Sequence, residues 1–144
     1  MHTFPVHNDG HLIESRFVNT HHHEQARLAA VLSYQILDSA PESDFEQLVA
    51  LACQLFAVPM ATVSIMDQHR QWFKAAKGLD ICETAREDSF CQYAVRSQSP
   101  LLVEDTHLDP RFMRNPLVIF SPYIRAYAGI PLINSEGYVI GTFC

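Results

Sequence analysis

Basic residues are scarce in this 144-residue chain: 10 Lys and Arg stand against 16 Asp and Glu, for a formal charge of -6. A surface of that sign repels phosphate backbones and anionic lipid heads, so neither nucleic acid nor membrane is expected as a partner. Long apolar runs are missing too. The longest candidate, around Leu55 to Met66, is broken by Pro59, Thr62 and Ser64, whereas a membrane helix needs about 20 apolar residues in succession. The opening MHTFPVHNDGHLIES has neither the basic start nor the apolar stretch of a secretory signal, and a cytoplasmic location is expected. Cysteine pairing is lacking as well. Cys53, Cys82, Cys91 and Cys144 form no CxxC motif and no dense framework, so they read as thiols in a reducing compartment. Internal repeats and low-complexity tracts are absent.

What is present suits one soluble globular domain, with 48% hydrophobic and 18% charged residues. Residues 1–20 scatter His, Asn, Asp and Gly without periodicity and read as a flexible arm. From His23 to Leu37 apolar residues fall at helical spacing, and Pro41 ends that pattern. Ser43 followed by Glu46 predicts a capping box, and Phe45, Leu48, Leu51, Ala52, Leu55 and Phe56 predict the buried face of a second helix. Strands are predicted at 61–66, 70–75, 101–104, 126–133 and 138–143, with a turn at Asn134–Gly137 in which Gly137 takes a positive φ. Residues 78–88 read as loop, 90–97 as a short helix capped by Ser89, and 105–122 as mostly irregular. Helices followed by mainly antiparallel strands make the fold class α+β.

Three phrases then fall in order from Gln71: QWFKAAKGL, ETAREDSFCQYAV and LLVEDTHLDPRF. With YQILDSAPESDFEQL before them and GYVIGTFC after them, they resemble a bacterial GAF domain, of the subgroup found at the front of sensor kinases and cyclic-di-GMP enzymes. The resemblance implies an antiparallel, profilin-like sheet flanked by helices over residues 21–144. It also implies a long C-terminal helix after a sequence like GTFC, so the chain reads as truncated before that helix.

Five residues stand out as candidate ligand contacts. Ser89 and Cys91 open the helix of SFCQYAV, where GAF domains often place a ligand-side helix, and free amides at a helix start suit an anion; equally, Ser89 can cap while Cys91 packs as a small hydrophobe. Asp105, in DTHLDPRF, either caps local amides or meets a ligand. Arg125 and Tyr127, two apart, would share one face of a strand and suit a carboxylate or phosphate if that face lines a cavity. Trp72 reads as packing. Three successive histidines, His21 to His23, do not converge on one helical face, and neither His69 nor His107 has ligand-spaced partners, so no metal is expected.

Catalysis would have to rest on thiols, with Cys82 and Cys91 nine residues apart in the sequence. That arrangement loosely resembles the free methionine-(R)-sulfoxide reductases, but no Cys occurs at 115–127, where those enzymes carry the essential one. Neither an NKxxF-type motif nor a Cys-His pair for a bilin is present. The expectation is a non-enzymatic sensory or regulatory domain that binds a small molecule of unknown identity, signals through its terminal helices and forms a homodimer. Its cofactors are unknown from the sequence. The alternatives are a thiol redox enzyme or sensor, and a dimerisation module with a vestigial pocket.

Overall fold

The structure is a computed structural model that describes residues 10–144, with side chains from residue 20 onward. Helix α1, Gly10–Ser33, is followed by α2, Ser43–Phe56, and then by strands β1, Ala61–Met66, β2, Arg70–Lys77, and β3, Glu83–Ala85. A 3-10 turn at Arg86–Asp88 leads into α3, Cys91–Ser97, and β4, Leu101–Val103; the short α4, Pro116–Ile119, precedes β5, Tyr127–Ile133, and β6, Val139–Phe143. All pairings are antiparallel, and the six strands run in the order β3-β2-β1-β6-β5-β4. The α+β architecture and the five predicted strands are therefore present.

Several local expectations are corrected. Helix α1 begins at Gly10, inside the stretch 1–20 read as a flexible arm; residues 1–9 lie outside the described residues. The same helix stops at Ser33 rather than Leu37, where Gln35 and Asp38 take φ of 51° and 59°. The capping box at Ser43 does not form. Glu42 occupies the N-cap in extended conformation, without a side-chain cap. Residues 78–88 contain β3, and residues 105–122 contain α4, which Asn115 caps by accepting from the Leu117 amide at 2.8 Å.

Helix α2 also presents a different stripe from the predicted one. Val49, Ala52 and Cys53 are buried, while Leu48, Leu51, Leu55 and Phe56 stay exposed. The underlying sheet decides this: Ala61, Val63 and Ala75 form a shallow floor, onto which the small Ala52 and Cys53 can settle closely. On the same sheet face Val31 of α1 packs with Ile65 and Trp72, so Trp72 is packing, as read from sequence. A bulge sets two residues of β2 opposite one of β1, since Val63 pairs with Ala75 and Ser64 with Phe73. The extra residue is Lys74, whose buried ammonium donates to the Ala40 carbonyl at 2.7 Å and to Ser39 Oγ at 2.8 Å. It anchors the α1–α2 connection.

The β5–β6 hairpin follows its sequence signal. Asn134 Oδ1 accepts from the amides of Glu136 and Tyr138, and Gly137 has φ of 86°.

Candidate functional site

The second face of the sheet, under α3, is not a plain apolar floor. Alternation along β1 sends Thr62, Ser64 and Met66 there, and β6 adds Thr142 and, just past its end, Cys144. Ser64 and Thr142 are fully buried and share a hydrogen bond of 2.8 Å between their hydroxyls. Thr62 Oγ1 lies 3.0 Å from Cys144 Sγ. From β2, Gln71 Nε2 donates to Cys91 Sγ at 2.9 Å, while the Gln71 carbonyl oxygen accepts from Thr84 of β3 at 3.4 Å. Tyr127 OH reaches Cys91 Sγ at 3.0 Å from the start of β5, and Cys144 Sγ is 3.7 Å from the same sulfur.

Polar side chains in such a place cost several kcal/mol each unless paired. Here they pair with one another: no buried side-chain nitrogen or oxygen among the described residues lacks a partner. The surroundings are apolar. Met66, Val95 and Val139 close one side, and on the other the Tyr127 ring stacks on Phe90 at 5.1 Å, which stacks on Phe112 at 4.3 Å. Gly129 makes room for this arrangement, because a Cβ there would stand 2.2 Å from Tyr127 OH.

The electrostatics centre on the sulfurs. Burial opposes ionisation of Cys91, but the polar hydrogens of Cys144, Thr142, Tyr127 and Ser64 outweigh it and lower its pKa to about 6. Cys144 moves the other way, raised by its hydrogen bond to Cys91, by burial and by the charge Cys91 acquires. Tyr127 is raised as well, first by burial and then by the two neighbouring sulfurs. The two sulfurs are thus driven in opposite directions, Cys91 toward the thiolate and Cys144 toward the thiol, with the raised Tyr127 hydroxyl placed to donate.

Of the five sequence candidates, Cys91 and Tyr127 meet in this cluster. Ser89 is buried beside it, yet its hydroxyl serves the turn, donating to the Arg86 carbonyl and accepting from the Gln92 amide. Asp105 and Arg125 do not join. They pair with each other on the surface at 3.4 Å, and Asp105 accepts from the His107 amide as a loop cap. The expected shared face of Arg125 and Tyr127 fails because β5 begins at Tyr127, leaving Arg125 in the preceding irregular segment with its side chain exposed. Sequence reading missed Ser64, Gln71, Thr142 and Cys144. The available signal was the Thr62–Ser64 alternation inside an otherwise apolar strand.

A groove of about 340 Å³ opens elsewhere, between the end of α1 and the β1–β2 turn, lined by Leu32, Ile36, Asp38 and Arg70 among others. Its cation is already engaged: Arg70 is bound by Asp38, Asp67 and Glu83. We therefore take the buried polar cluster, although packed shut, as the candidate site.

Comparison with known proteins agrees with this architecture. The family described as GAF domain matches residues 40–144. A cyclic di-GMP phosphodiesterase of Pseudomonas aeruginosa is 45% identical over 121 residues, which is 84% of this chain and 21% of that protein. The chain thus spans about a fifth of the length of this curated relative. Among solved structures, the GAF domain of a phosphoenolpyruvate-protein phosphotransferase from Coxiella burnetii superposes with a TM-score of 0.58 at 16% identity, covering 83% of this chain and 74% of that one. A free methionine-R-sulfoxide reductase from Neisseria meningitidis, solved with its substrate, gives 0.57 at 17% identity, covering 81% and 68%. At such identities the structural likeness speaks for fold alone. The family match spans well over half of the sequence and establishes that the chain belongs to the GAF domain family.

Proposed function

We propose that this GAF domain is a non-enzymatic sensory module whose ligand enters between α3 and the sheet. The observation that carries the reading is the self-paired polar cluster of Ser64, Gln71, Cys91, Tyr127 and Thr142, buried beneath an aromatic stack. Small-molecule sites join an apolar wall to a few convergent polar groups, and this cluster has that composition. A ligand carrying its own donors and acceptors would displace the Tyr127 hydroxyl and take over its partners. Arg27 offers a route outward. Its guanidinium donates from α1 to the carbonyls of Met66 and Val139, which pack beside Cys91, so a rearranged cluster biases the seating of α1 by population shift. The name of the Pseudomonas relative makes cyclic di-GMP hydrolysis a candidate output for a domain beyond this one.

Native mass spectrometry of freshly purified protein tests the reading. A retained small-molecule adduct, lost in Gln71→Leu, is expected; at 100 times its Kd such a ligand would stabilise the fold by about 2.7 kcal/mol. Absence of any adduct, with no thermal shift across a metabolite panel, would favour the vestigial dimerisation module instead. A thiol reductase is the competing reading, favoured by the proximity of Cys91 and Cys144 and by the names of some structural neighbours. Incubation with free methionine sulfoxide and a thiol reductant should give no turnover above a no-protein control.

A further inference from the structure

The geometry points to Cys91 and Cys144 as a dithiol that a hydroperoxide converts into an intramolecular disulfide. Their sulfurs lie 3.7 Å apart although 53 residues separate them in sequence. A disulfide needs about 2.05 Å, so the sulfurs must close by less than the width of an atom. Both residues sit in one apolar cluster with Met66, Val95 and Val139, which keeps the pair apart from other thiols. Cys53 is buried under α2 on the opposite face of the sheet, and Cys82 is exposed.

The surroundings divide the roles. Gln71 Nε2 and Tyr127 OH converge on Cys91 Sγ at 2.9 and 3.0 Å, and donors so placed hold a thiolate there. Cys144 Sγ lies 3.7 Å from Cys91 Sγ, so beside a Cys91 thiolate it keeps its proton and points it at that sulfur. In the first step the Cys91 thiolate attacks one peroxide oxygen. An S–O bond forms, the O–O bond breaks, and the departing hydroxide takes a proton to become water. In the second step the Cys144 sulfur attacks the Cys91 sulfenic acid, the S–S bond forms, and the S–O bond breaks with loss of a second water carrying the Cys144 proton. The dithiol is oxidised by two electrons and the peroxide is reduced by two. Closure withdraws Cys91 from Tyr127 and Gln71 together, so it changes the polar floor of the site. The inference stands independently of ligand binding, because it requires only the two sulfurs and peroxide.

The test is equimolar hydrogen peroxide added to the reduced full chain, followed by denaturing alkylation and peptide mapping. A peptide linking Cys91 to Cys144 is expected. It should persist in Cys82→Ser and Cys53→Ala, disappear in Cys144→Ser, and revert with dithiothreitol. Mapping of the wild-type chain needs no variant to fold and decides the matter alone. Links through Cys82, sulfinic acid on Cys91 without linkage, or both thiols still alkylated would overturn the inference. A ligand adduct found alongside any of those outcomes would leave the sensory reading in place.

Discussion

Arg27 Nη1 donates to the main-chain carbonyl of Met66 at 2.8 Å, joining the middle of α1 to the last residue of β1. The residue is 1% exposed, and its other side-chain partners are the Val139 carbonyl and the Glu24 carboxylate. A guanidinium suits this place because its planar fork can serve two carbonyls and a carboxylate at once. Helix α1 is thereby tied to the edge of the polar site by hydrogen bonds, while Val31 packs it on Ile65 and Trp72 of the other sheet face.

Arg27→Met removes those bonds while keeping much of the volume. Two carbonyls lose a buried donor, so a loss of roughly 2–3 kcal/mol is expected in urea denaturation. Hydrogen exchange should rise in α1 before it rises in α2; equal protection in both helices would contradict this role.

Acid should weaken the same contact. Burial raises the Glu24 pKa, but the hydrogen bonds from Arg27 and Arg86 outweigh it and lower the pKa to about 2. The carboxyl is thus more acidic folded than unfolded. Its contribution is complete above the ordinary value of 4.5 and is lost as pH falls from there toward 2. Glu24→Gln should flatten stability over that window. At neutral pH it should cost about 2 kcal/mol, less than for a fully buried pair because Glu24 keeps some contact with water.

Gly129→Ala tests the fit of the site. The added methyl would collide with the Tyr127 hydroxyl at 2.2 Å, and overpacking of this kind costs typically 1–3 kcal/mol. Near-ultraviolet circular dichroism should report the displaced tyrosine. An unchanged spectrum and an unchanged denaturation midpoint would mean that Tyr127 does not occupy this position.

Tyr127→Phe keeps the ring and deletes the donor. The Cys91 pKa, about 6 in the parent, should rise, as read from thiolate absorbance in a Cys82→Ser background. Stability should fall by about 1 kcal/mol. Since the folded thiol ionises below its unfolded value of 9.0, its contribution is full above that value and declines as pH drops toward 6. The mutation should shrink that slope.

Leu32 of α1 is 64% exposed, and we propose the helix as a homodimer contact. Light scattering at micromolar concentration should give twice the 16.3 kDa chain mass, falling to the monomer in Leu32→Glu. A parent that is monomeric throughout would remove the proposal.

The sequence alone determined the elements whose signals are local. Alternation in ATVSIM, the Asn134–Gly137 turn and the Ser89 cap needed only neighbouring residues, and each is where its pattern put it. Tertiary structure decided the rest. Which stripe of α2 is buried depended on the small residues of the floor beneath it. The loss of Arg125 from the site depended on where β5 begins. The meeting of Cys91 with Cys144 arises because β6 pairs with β1 and α3 lies across their shared face, a proximity that no spacing in the chain records. Periodicity describes one element at a time, whereas a site is made by side chains from several elements, and only their packing sets those distances.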